Sequence, residues 1–174
     1  MAYLARVLDG FGADLADLVM LTAFYANDGS VDEDEFLAHV GAALPDGAAL
    51  AITAVPLPTL AYEGMLVEIE ATAMRGAGGA RLARPTANPD GLAPLPAPFV
   101  HGVRCGEMIF VSGQSARDAS GAVVGAGDIL GQSKLLMENI GAVLAEFGAD
   151  HDDAVRFRMY YAAGGTAAEW QGAA

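Results

Sequence analysis

The sequence is poor in several things that would have narrowed its class at once. One cysteine, Cys105, leaves no partner for an intrachain disulfide, and a reducing compartment is the simplest setting. No run approaches the roughly 20 uninterrupted apolar residues of a membrane span, although 53% of the residues are hydrophobic. The first residues, Met1 to Arg6, lack the basic stretch and cleavage site of a secretion signal, and Asp9 interrupts the apolar residues that follow. A cytoplasmic protein is expected. The three histidines, His39, His101 and His151, are scattered without ligand spacing, so no metal and no other cofactor is expected. Lysine is nearly missing. Nine basic residues against 22 acidic ones give a net charge of -13. That balance disfavours sequence-independent nucleic-acid binding, which needs cations to neutralise phosphates.

What is present reads as an α+β chain. Leu4, Val7, Leu8 and Phe11 have the spacing of a helix face, and Gly12 stands where a helix ends. Leu18 to Tyr25 is a short run of β-capable residues, read as a buried strand. Asp32, Glu33, Asp34 and Glu35 open a helix that stops at Pro45; they are most simply its solvated start. An apolar segment follows over 50–55, and 65–73 alternates with the period of two of a strand. Residues 76–97, rich in Gly, Ala and Pro, show no apolar period and are expected to be a mobile linker. Two strands, 98–103 and 108–112, surround the turn at Arg104 to Glu107. After a polar loop, a helix is expected over 129–147, with Leu135, Leu136, Ile140, Val143 and Leu144 towards the core. A strand over 154–162 and a short helix over 167–174, capped by Thr166, complete the expectation.

The chain also repeats itself. Phe11-Gly12-Ala13-Asp14 returns as Phe147-Gly148-Ala149-Asp150, and the register holds from Val7-Leu8 against Val143-Leu144 to Tyr25-Ala26 against Tyr161-Ala162. Every pair is 136 residues apart. A constant offset means that the chain passes once round a module of about 130 residues and begins it again.

The residues of that module resemble the Rid (YjgF/YER057c/UK114) family. Pro98 to Gln114, ending Ser112-Gly113-Gln114, looks like the family's opening hairpin. Gln132 to Leu144 resembles its first helix, and Leu57-Pro58 with Leu66 to Ala73 resembles its closing strands. The resemblance implies a Rid/chorismate-mutase-like sheet backed by two helices, in a homotrimer with clefts between subunits. Many members hydrolyse enamines and imines to ketones and ammonia; others are described as ribonucleases or binding proteins. The order differs from the family's. Residues 1–75 match the second part of a module and 98–174 the first part of another, on either side of the 76–97 linker. The chain is therefore either a tandem-derived fragment or a circular permutant. In a permutant, 98–148 completes the sheet begun by 15–75, within one chain or between neighbours.

The resemblance also supplies candidate site residues. Glu68 matches the strand glutamate proposed to position or activate water, a role open to a carboxylate in a partly apolar cleft. Equally, Glu68 and Glu70 fit the solvated face of an alternating strand. Ser112 and Gly113 match cleft-lining positions whose backbone could bind a carbonyl oxygen. Phe99 replaces the usual hairpin tyrosine, and His101 lies nearby as a candidate polar contact. The arginine that clamps a substrate carboxylate is missing from 47–52, and nothing basic lies between His39 and Arg75. The expectation is thus a protein that binds a small molecule in a subunit cleft without the standard 2-imino-acid deaminase activity. The alternative is an enamine or imine hydrolase acting on a substrate not anchored by a carboxylate, with an endoribonuclease a distant third. Cys105 beside Arg104, the strand-face pair Arg156 and Arg158, and Trp170 are read as turn, interface and packing residues.

Overall fold

A computed structural model describes residues 1–162 of the chain. Helix α1 (Ala2–Asp9) leads into a single 3-10 turn and the nine-residue strand β1 (Leu18–Ala26). Helix α2 (Glu33–Gly41) follows, with the Asp32 side chain capping it through the Glu35 N–H and three acidic residues in its first turn, where the helix dipole favours them. Strands β2 (Ala51–Leu57) and β3 (Val67–Ala73) complete a first sheet of order β2-β1-β3. The long helix-bearing connection lets β2 run parallel to β1, whereas β3 pairs with β1 antiparallel.

The alternation of these strands decides where the core sits. Leu18, Leu21 and Ala23 of β1 meet Leu50, Ile52, Ile69 and Ala71 on one face, closed by Leu4 and Leu8 of α1 and by Phe36, Leu37 and Val40 of α2. The residues between them, including Phe24, Glu68 and Glu70, project to the opposite face. The helix and strand expectations up to residue 73 agree with this structure to within a few residues.

A second small sheet is built from β4 (Thr86–Ala87), β5 (Gly102–Cys105) and β6 (Met108–Val111), in that order. Helix α3 (Ile129–Ala145) lies against it. The approach is close at Gly102, where a Cβ would stand 2.5 Å from Val143 Cγ1 and 2.9 Å from Phe147 Cε2. Val143 and Leu144 are buried, while Leu135, Leu136 and Ile140 are only half-buried.

The two sheets meet along the outer edge of β2. Leu50 and Phe99 form a parallel bridge, Val100 N–H donates to Leu50 O at 3.2 Å, and Gly113 N–H donates to Ile52 O at 2.9 Å. Ser112 Oγ accepts from Ile52 N–H at 2.8 Å and donates to Val100 O at 2.6 Å. The hairpin thus joins the first sheet inside one chain, through a short seam and not a full ladder.

Two expectations need correction. The 76–97 stretch does connect the two parts, but it is pinned along its length. Arg84 donates to Leu18 O at 3.0 Å, and Thr86 and Ala87 pair with Val103 and Gly102. Asn88 Oδ1 accepts the His101 N–H, and Ala87 is buried. Residues without apolar period were enough because backbone and guanidinium groups make these contacts. The second correction concerns 154–162, which forms no strand. The place the repeat would assign it, between β2 and β3, is occupied by β1. The expected helix over 167–174, with Thr166 and Trp170, lies outside the described residues.

Candidate functional site

Four of the five candidate residues gather at the seam. Phe99 is buried in the main core, and His101 and Ser112 are buried beside it, at 7% and 2% exposure. His101 Nε2 donates to Ala93 O at 3.0 Å, which leaves Nδ1 to accept from Gln114 Nε2 at 3.3 Å. Gln114 Nε2 also donates to Ser112 O. Burial pulls the His101 pKa down, and the Ala93 carbonyl only partly opposes it. The ring is a neutral, doubly partnered structural group.

The backbone donors expected to receive a carbonyl oxygen are also engaged. Ser112 N–H donates to His101 O and Gly113 N–H to Ile52 O, both at 2.9 Å. The Ser112 hydroxyl uses its donor and one lone pair within the seam. These groups hold the two sheets together before they can do anything else.

Glu68 stands apart. It lies on β3 opposite Phe24, exposed, on the face away from the helices. Strands β1 and β2 separate it from the seam, a span of about 14 Å at normal strand spacing. One protomer therefore does not assemble all five residues. Its neighbour Glu70 pairs with Arg158 at 2.9 Å, whereas Glu68 has no ion pair among the described residues. Two shallow surface depressions, of about 310 and 570 Å3, are lined by residues of α1, the turn after it and 73–75 or 42–45. Neither contains a candidate residue.

At the start of β2, where the family resemblance would call for arginine, stand Leu50 and Ala51, 1% and 0% exposed. Two guanidinium groups are committed elsewhere: Arg75 and Arg81 converge on Asp17 and Asp14, and Arg75 Nε is 2.8 Å from Asp17 Oδ2. Asp17 is nearly fully buried. Burial alone would raise its pKa, but the Asp14 N–H, Arg75 and Arg81 together hold it below the usual carboxylate range. The sequence signal for this cluster is the Asp-x-x-Asp capping box at 14–17, in which each side chain accepts from the backbone at the other end. The same box recurs at Asp150 and Asp153.

Cys105 is buried at the end of β5, and burial pushes its thiol pKa up, away from a nucleophile's. No cluster of three metal-binding side chains occurs among the described residues, and no helix there is long and apolar enough to cross a membrane.

These elements define a small α+β protein with two three-stranded sheets and three α-helices among the described residues, consistent with the Rid fold. The endoribonuclease L-PSP family, which is the YjgF/Rid family, matches residues 92–172, so this part of the chain is similar to that family. A RutC family protein of Pyrococcus abyssi (strain GE5 / Orsay), PYRAB12510, is 39% identical over 69 residues, which cover 39% of this chain and 54% of the relative. The chain thus spans about half the length of that curated relative. No solved structure matches the chain significantly.

Proposed function

We propose that the chain is a Rid-type small-molecule-binding protein that lacks the standard 2-imino-acid deaminase reaction. Residues 1–75 supply the second part of the module, 98–174 the first, and 76–97 joins them, so that a permuted order completes one sheet. The observation that carries the loss of the standard reaction is the buried Leu50-Ala51 pair at the head of β2. A carboxylate-bearing substrate finds no guanidinium fork there. Because Glu68 and the seam lie on different parts of one protomer, a cleft using both needs residues from two protomers, as the family's trimer arrangement would provide.

A second reading has its own support. Glu68 is exposed and has no ion pair among the described residues, which leaves it able to orient or deprotonate a water for hydrolysis of an imine without a carboxylate. Trapping the products of freshly generated 2-iminopropionate and of neutral imines with semicarbazide separates the two. The binding reading expects no acceleration of ammonia release from either class. Acceleration with 2-iminopropionate that disappears in Glu68→Gln would overturn it. Acceleration confined to neutral imines establishes the hydrolase instead.

A further inference from the structure

Residues 150–162 are a second copy of the unit that makes the cap and strand of 14–26, including its capping box. The first copy is the middle strand of its sheet. The second has no strand partner, although its sequence alternates as a strand should: Val155, Phe157, Met159 and Tyr161 on one side, Arg156, Arg158 and Tyr160 on the other. Its apolar residues are bare; Val155 is 85% exposed, Phe157 52% and Met159 67%.

Its sequence does not suit replacement of β1. At the offset of the repeat, Phe157 and Met159 would stand where Leu21 and Ala23 are fully buried, and the larger side chains would overpack that face. The sheet nevertheless has a place for it. Among the described residues strand β3 pairs only with β1, and its other edge carries backbone groups without a strand partner there, beside the exposed Leu66 and Val67. Glu68 and Glu70 share one face of β3, with Ile69 and Ala71 on the other. Charge gives a register. With Arg158 set beside Glu70, antiparallel pairing places Tyr160 beside Glu68. Within one chain, Arg158 already reaches Glu70 and Tyr160 packs edge-on to Phe24, but no backbone ladder forms.

We infer that 154–162 of one copy of this chain adds as an antiparallel strand to the free edge of β3 in a second copy, with Arg158 facing Glu70. Backbone pairing supplies the adhesion, and the alternation of basic and acidic residues fixes which face is which. The surface is distinct from the ligand reading above and does not depend on it.

Light scattering on the eluting full-length protein, at tens of micromolar, tests this with Phe157→Pro, Glu70→Arg and Arg158→Glu. All three positions are on the surface, and circular dichroism checks that each variant folds. The expected result is an oligomer whose mass falls with each variant and returns when separately purified Glu70→Arg and Arg158→Glu chains are mixed, since each then offers the other a matched pair. A wild-type protomer mass, an oligomer indifferent to Phe157→Pro or to both charge reversals, or a mixture that stays dissociated overturns the inference. Hydrogen exchange at 18–26 covers the competing arrangement: loss of protection there on oligomerisation means that the second copy has displaced β1, which also overturns it.

Discussion

Asp17 shows how much one side chain decides here. Its carboxylate is buried yet charged, held by the Asp14 N–H at 2.9 Å and by Arg75 and Arg81. Removing Arg75 leaves a buried anion with one fewer charged donor, so Arg75→Met should cost about 1.5–3 kcal/mol in urea unfolding. The pH dependence follows from the lowered pKa of Asp17. Its stabilising contribution is fully present above its unfolded value, near 3.8, and is lost as pH falls through the still lower folded value. Asp17→Asn should therefore flatten the acid limb of the stability profile while lowering its neutral plateau. Tyr25 is the opposite kind of group. Burial, then the Glu33 carboxylate that accepts its hydroxyl at 2.9 Å, pushes its pKa up to about 12. Ultraviolet titration should show a tyrosine step at about pH 12, and Glu33→Gln should bring that step down.

At the scale of elements, the informative contacts are the two places where parts distant in sequence meet. Helix α3 approaches β5 over Gly102, and a methyl group there would collide with Val143 and Phe147, both at under 3 Å. Gly102→Ala should cost about 1–3 kcal/mol, read from the shift in denaturant midpoint. Ser112 is the corresponding joint between β6 and β2. Without its hydroxyl, the Ile52 N–H and Val100 C=O lose their recorded partner in a buried seam. Ser112→Ala should cost about 2–4 kcal/mol, because each orphaned buried group costs about 1–3 kcal/mol. Hydrogen exchange should then quicken in β5 and β6 more than in β1.

Taken as a whole, the described chain has two sheets joined by the short seam along β2 and by the 76–97 strap. The seam, the strap and the Asp14, Asp17, Arg75 and Arg81 cluster tie together residues up to 67 positions apart. Unfolding should accordingly be a single transition, with circular dichroism and near-ultraviolet signals changing together. Ser112→Ala, which loosens the seam, should separate the two signals if any single substitution does.

The elements before residue 75 were legible because each carries its signal locally: apolar residues at helix spacing around Leu4 and Leu8, alternation through Ile69, acidic residues ahead of α2. The hairpin and α3 were legible through their likeness to a family, and the match over 92–172 bears that out. The candidate site was much less so. Resemblance selected Phe99, His101, Ser112 and Gly113, but the burial of the first three and the hydrogen bonds of the seam depend on strands that are distant in the sequence. The 76–97 stretch was misjudged for a related reason, since contacts made by Arg84, Asn88 and backbone groups leave no periodic trace.

The sequence by itself determined the α+β character, the duplicated cap-and-strand unit and the missing arginine, since all three are properties of residue order. Only the tertiary structure decided which copy of the strand enters the sheet, because the room on the face that Leu21 and Ala23 fill is set by the packed elements around it. It also decided that Glu68 and the Ser112 seam lie at opposite edges of the first sheet, since strand order and not sequence distance sets that separation.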